Sequence, residues 1–362
     1  MMKSIYKITF LFLLFPLIAF ANSDGKKQEK SKVITKEYKV NANAKVAINN
    51  RYGNLDITTW DKNQVEIEVT ITVKGDNLES LEDKLASIDV EFETSSNFIS
   101  AKTIFEKQQK NSWSFWKKSN NVSYKINYKV KMPKTNTVDL DNDYGSIFLG
   151  DLSGNANINC DYGKIIVGEL SASNNNINLD YCSSSTISYM KSGNVNVDYS
   201  KITIDEAEDL KVNEDYSTIK FGKVKDINFN ADYGSVTIDE AVNVDGNSDY
   251  ASMRIGTIYK TLTIETDYGS VSVKRLAKGF ESVEIDGQYA GIKIGVDEDA
   301  VFDFVLDLQY AGFKYDDDQI EFFKKISKST KKYYEGKFGK GNSDARIKIR
   351  SQYGGVSIKE NY

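Results

Sequence analysis

The sequence predicts an all-β protein, a parallel β-solenoid (single-stranded β-helix) of about 17–21-residue coils with an N-terminal α/β cap. Three observations predict it. A phrase made of an acid or amide, a tyrosine, a small residue and alternating apolar residues returns along most of the chain, as in the neighbouring copies DYGSVTI and DYASMRI. Its tyrosines are Tyr144, Tyr162, Tyr181, Tyr199, Tyr216, Tyr233, Tyr250, Tyr268, Tyr289 and Tyr310, spaced by 17 to 21 residues, with Tyr52 and Tyr353 as outlying copies. A period this short and regular means stacked repeats. Around each tyrosine the apolar residues keep a period of two, which is the period of a strand.

The chain opens with a short positive head, Lys3 and Lys7, an apolar run from Ile8 to Phe20, and Ala19-Phe20-Ala21. This is the pattern of a secretory signal peptide over residues 1–21, too short to span a bilayer comfortably. The mature chain is expected to start at Asn22 with a polar linker over 22–32. No cysteine follows the apolar run, which argues against a lipid anchor, and no other stretch is apolar enough to cross a membrane. Export to the periplasm, cell surface or medium is expected.

Losing residues 1–21 removes two lysines and no acid, so the net charge moves from −5 to −7. An acidic exported chain lacks the basic footprint of a nucleic-acid binder. There is no histidine, which removes the usual general base and the commonest metal ligand. Two cysteines cannot build a disulfide scaffold. No cofactor and no metal site are expected.

Residues 33–134 form the expected N-terminal cap. Val33–Val40 and 46–60 alternate as strands, and QVEIEVTITVKG (64–75) is a half-buried strand with Val65, Ile67, Val69, Ile71 and Val73 on one face. Leu78, Leu81, Leu85 and Ile88 recur at helical spacing in 76–88. Strands follow at about 88–94, 98–106 and 122–132. Between the last two lies KQQKNSWSFWKKSNN, where Trp113, Phe115 and Trp116 sit among lysines. Either this loop folds back onto the repeats, or it is an aromatic contact site, since tryptophan is enriched at binding hot spots.

The repeats occupy 135–315. Before each tyrosine the apolar residues fall at even offsets, as with Ile177 and Leu179 before Tyr181. After it they fall at odd offsets, as with Val236 and Ile238 after Tyr233. The parity flips across the tyrosine and the small residue that follows, so a corner is expected there with the small residue making it. The tyrosine is expected on the core face, each ring above its copy in the next coil. An alternative is a tyrosine face offered to sugars or peptides.

The residue before each tyrosine is Asp143, Asp161, Asp180, Asp198, Asp215, Asp232, Asp249 and Asp267, then Gln288, Gln309 and Gln352. Eight stacked carboxylates repel by about 0.9 kcal/mol per neighbouring pair even in bulk water. Each is expected to accept backbone N–H groups at its own corner. A row of calcium ions is the alternative.

Residues 316–344 interrupt the pattern. Ile320, Phe323 and Ile326 predict a short helix after Asp318 in a basic helical or loop insertion, and 345–362 then supply a final coil. Cys160 and Cys182 lie in adjacent coils, too far apart to bridge unless the corner folds them together. Two buried or semi-buried thiols are expected rather than a disulfide.

The succession NNRYGNLDITTWDKNQVEIEVTITVKG, a short helix, a hairpin, KINYKVKMP and serial DYGSV-type coils resembles a bacterial exported β-strand-repeat family named "putative adhesin", whose function is unknown and which is related to auto-transporter adhesin head domains. The likeness covers about residues 33–362. It implies an exported β-solenoid of Gram-negative bacteria and brings no catalytic residues. The DYC and DYS copies depart from the glycine corner.

The function expected is non-enzymatic: adhesion, or binding and scaffolding in the cell envelope, with an envelope protein or glycan as partner. The alternative is a carbohydrate-active β-helix enzyme using paired carboxylates. Catalysis needs unlike residues converging where a repeat breaks, and these copies are monotonous.

Overall fold

The computed structural model describes residues 27–106 and 122–360. Trp113, Phe115, Trp116 and the signal segment 1–21 lie outside the described residues. The described chain is nearly all strand, with one α-helix among these residues, and its strands form a long, unclosed, mostly parallel sheet.

Each repeat contributes one strand before its tyrosine and one after. The pre-tyrosine strands pair in register from one repeat to the next: Val195 lies opposite Val212, Val212 opposite Phe229, and Phe229 opposite Gly246. The post-tyrosine strands do the same, with Ile202 opposite Ile219 and Ile219 opposite Val236. In-register parallel pairing brings like residues together, so one apolar pattern repeated makes a continuous core. The flanking positions Ile177, Leu179, Val195, Val197, Ile202, Ile204, Val236 and Ile238 are all buried.

Space and sequence disagree at both ends. Lys45–Arg51, which leads into Tyr52, pairs directly with Thr137–Asp143. The outlying Tyr52 copy is therefore the first repeat, and the described residues 61–106 and 122–136 belong to an excursion that covers it. Phe98–Phe105 covers Lys45–Arg51, and Ser123–Pro133 covers Leu55–Trp60. Outside these, Gln64–Gly75 and Gln28–Lys39 add antiparallel strands, as does Ile88–Thr94. Helix α1 (Leu78–Ala86) joins the two halves of this cover; Asn77 accepts the Ser80 N–H at 2.9 Å and caps it. Of its expected apolar face, Leu81 is buried, Leu78 is exposed, and Ile88 already belongs to the next strand.

At the other end Arg346–Gln352 pairs with Ser282–Gln288 on one side and Phe302–Gln309 on the other. The last repeat in sequence is thus inserted before the one that precedes it. The helix expected after Asp318 is a correction. Ile320–Ser327 and Lys331–Phe338 are antiparallel strands, entered through a single 3₁₀ turn, and the second pairs with Phe302–Gln309. An exposed strand edge supplies hydrogen bonds that favour strand over helix, whatever the local spacing. Phe338 stacks on Phe302 at 4.9 Å, and Phe304, Phe313, Phe322 and Tyr334 close the core beneath the hairpin. Lys325 lies over the Phe322 ring at 4.8 Å.

Candidate functional site: a tyrosine column beside an acid column

The tyrosines of the repeat stack along the molecule in the order 52, 144, 162, 181, 199, 216, 233, 250, 268, 289, 353, 310. Centroids are 4.7–5.2 Å apart and planes within 7° of parallel. At the first end Tyr124 and Phe105 close on Tyr52 edge-on.

The tyrosines do not face the core. Tyr144 is 49% exposed and Tyr233 50%. The reason lies in the backbone: every ladder tyrosine has positive φ, from 48° at Tyr199 to 64° at Tyr52. Alternation therefore breaks at the tyrosine itself. Val197 points in, Asp198 and Tyr199 both point out, and Ser200 points in. The small residue is needed for a different reason from the one expected. It faces inward against the backbone of the neighbouring repeat, and a Cβ on Gly145 would lie 1.8 Å from the Gly53 carbonyl oxygen. Where serine replaces glycine its hydroxyl is used. The Cys182 N–H donates to Ser200 Oγ at 2.7 Å, and the Ser200 N–H donates to Ser217 Oγ at 2.9 Å.

That chain of buried bonds ends on a charge. The next repeat has Gly234 and no hydroxyl, and the Ser217 N–H donates to Glu214 Oε1 at 2.8 Å. Glu214 occupies an inward position, and its Oε2 is buried without a partner. Burial, reinforced by Asp215, Asp232 and Asp198 and opposed by the Ser217 bond, pushes its carboxyl up to about 7.

The residues preceding the tyrosines form a second column. In spatial order it runs Arg51, Asp143, Asp161, Asp180, Asp198, Asp215, Asp232, Asp249, Asp267, Gln288, Gln352, Gln309, and then Lys331 of the hairpin. The expected bonds from these carboxylates to corner N–H groups are absent among the described residues. The aspartate carbonyls make the corner bonds instead, as from the Tyr181 N–H to Asp198 O at 3.1 Å and from the Tyr216 N–H to Asp232 O at 2.9 Å. Arg51 pairs with Asp143 at 2.6 Å. The carboxyls of Asp161 and Asp198 are raised from the ordinary aspartate value, first by partial burial and then by the acids on either side. Among the described residues no group of three or more acids or cysteines converges as a metal site.

A third column was missed from the sequence. Asn196 donates to Asn178 at 2.7 Å, Asn213 to Asn196 at 2.9 Å, and Asn230 to Asn213 at 3.2 Å. The recurring N-x-D-Y in NLDY, NVDY, NEDY and NADY is the signal that could have found it. Cys160 and Cys182 are both buried and free. The corner does bring them together: the hydrogen bond with Cys182, followed by burial, pushes the Cys160 thiol up.

This is a β-repeat protein with an exposed aromatic and acidic strip along its length. No family model matches the chain, and no curated protein matches it. Solved structures similar to it include a "putative adhesin" from Parabacteroides merdae, at 11% identity and TM-score 0.28, covering 92% of this chain and 97% of that one. A "putative cell adhesion protein" from Clostridium sporogenes, at 10% identity and TM-score 0.19, covers 92% and 100%. A "putative lipid binding protein" from Parabacteroides distasonis, at 11% and 0.23, covers 92% and 97%. With overlaps this low, fold and site rest on the chain's own residues.

Proposed function

We propose that the chain is an exported, non-enzymatic β-solenoid with coils of about 17–21 residues, acting in adhesion or as a binding scaffold of the cell envelope. The observation that carries this reading is the tyrosine column. It runs unbroken through every repeat and stays half-exposed, so the molecule offers a long uniform surface. A catalytic centre would need unlike groups meeting at one place. The signal-peptide pattern of residues 1–21 supports export, and the names of the similar structures fit an adhesive role at the cell surface. Trp113, Phe115 and Trp116 are proposed as a second contact.

A binding screen of the mature chain against envelope proteins and arrayed glycans tests the reading. Retention of a specific envelope component without chemical change to it is the expected result. Cleavage of an arrayed polysaccharide would replace the scaffold with an enzyme. The double change Trp113→Ala, Trp116→Ala separates the two roles of the 107–121 loop. Lost capture with unchanged melting makes it a contact, and lowered melting with the same partners makes it packing.

A further inference from the structure

Resting on that binding reading, we propose that the tyrosine and aspartate columns form one docking strip for an extended, lysine- and arginine-rich segment of a partner protein.

The tyrosine column is a poor choice for stability alone. A non-glycine residue in the left-handed region is strained, and glycine or asparagine occupies that region more cheaply. Twelve tyrosines hold it here. Ring stacking offsets the strain at each site without clearly exceeding it. Strain maintained at every repeat points to use of the side chain. The surface offered is also large. Twelve half-exposed tyrosines present on the order of 1,000 Å², beyond the roughly 300–600 Å² of the largest apolar patch on an ordinary monomer.

The geometry selects the occupant. Each ring between the ends has both faces covered by its neighbours at 4.7–5.2 Å, so ring edges and hydroxyls are what a partner meets. That disfavours sugars, which lie flat on aromatic faces. Lysine and arginine carry an apolar stem and a charged head. Here a stem can lie along the tyrosine edges while the head reaches the carboxylate column one residue away. Among the described residues, no carboxylate of the column from Asp161 to Asp267 has a cation bound to it. A second copy laid on the same strip would set acid against acid, so self-association through it is disfavoured. Arg51, which pairs with Asp143 at one end, and the glutamines and Lys331 at the other confine the attraction to the seven repeats from Asp161 to Asp267. At about 4.8 Å per repeat this is about 29 Å, the length of about nine extended residues.

The test uses the mature chain and a fluorescent twelve-residue peptide of alternating lysine and serine, followed by anisotropy at low and raised salt. Binding at low salt that weakens with salt is expected. The quadruple variant Asp180→Asn, Asp198→Asn, Asp215→Asn, Asp232→Asn should bind at least tenfold more weakly with unchanged melting. The triple variant Tyr199→Asn, Tyr216→Asn, Tyr233→Asn should also lose affinity severalfold, and Tyr216→Asn alone serves if the triple variant does not fold. The proposal is overturned if the lysine peptide fails to bind at low salt, or if the aspartate variant binds it equally. It is also overturned if the folded tyrosine variant keeps full affinity, which would leave only diffuse ionic attraction. Tighter binding of a glucosamine oligomer would make the partner a glycan instead. A component found in the envelope screen that the aspartate variant still captures would sink the strip and leave the binding reading standing.

Discussion

At the scale of the residue, Glu214 and the tyrosines carry the most information. Glu214 stands where its neighbours in register, Val197 and Ala231, are buried and uncharged, and it supplies the acceptor that Gly234 cannot. Its folded pKa of about 7 lies above the ordinary glutamate value of 4.5. The folded state therefore holds the proton more tightly. The stabilisation is complete below pH 4.5 and is lost as pH rises through 7. Glu214→Gln keeps an acceptor for the Ser217 N–H and removes the charge. It should raise stability at pH 8 by at most about 3 kcal/mol and change little at pH 4, as measured by denaturant melts at both. For the ladder, Tyr216→Asn exchanges a stacked but strained residue for one that accepts positive φ. The stack is worth about 0.5–1.5 kcal/mol per pair and the strain costs about 1–2 kcal/mol. The net change in stability should be within about 1–2 kcal/mol, far below the loss expected from a core truncation. A loss of 4 kcal/mol or more would show that the column is a stabilising spine.

At the scale of the element, one strand pair holds two opposite environments. Val236 is buried and Asp232 exposed, four residues apart across the αL tyrosine. Val236→Asp should cost several kcal/mol, since it buries an unpaired charge. Asp232→Asn should be neutral or slightly stabilising, because it removes one member of a repelling column. Comparing the two melting temperatures checks the assignment of faces. The terminal hairpin is a second element with a definite task. Phe338 is fully buried against Phe302, and the strand Lys331–Phe338 covers the edge of Phe302–Gln309. Phe338→Ala should cost about 3–5 kcal/mol. It should also promote self-association through the uncovered edge, visible as earlier elution in size-exclusion chromatography.

At the scale of the whole molecule, the acid column raises the matter of metal. Its carboxylates are held one per repeat, each beside the next copy, and do not converge on a point as calcium ligation by several oxygens requires. Melting curves in millimolar calcium and in chelator should agree within a few degrees. A ligand at a hundredfold excess over its Kd would add about 2.7 kcal/mol, so a site of moderate affinity would be plain. The ends also matter at this scale. An unclosed sheet must cover its last strands. At one end the cover is built from Gln28–Lys39 and from strands between the first and second repeats, and at the other from the hairpin Ile320–Phe338.

The sequence by itself determined the repeat, its strands and their core. In-register parallel stacking copies one local pattern from repeat to repeat, so the period of two around each tyrosine names the buried residues wherever it occurs. It also placed Asp143 to Asp267 in a column facing outward. Three matters were left to the tertiary structure. The outward turn of the tyrosines depends on positive φ at a non-glycine residue, which residue type argues against and which shows only in the folded backbone. The hairpin at Ile320–Phe338 depends on an open strand edge that helical spacing cannot register. The order of the repeats, with Tyr52 beside Tyr144 and Tyr353 between Tyr289 and Tyr310, depends on which edges are free to pair. Edge pairing is a contact between segments distant in the chain, and a periodic sequence leaves the choice of partner to the assembled stack.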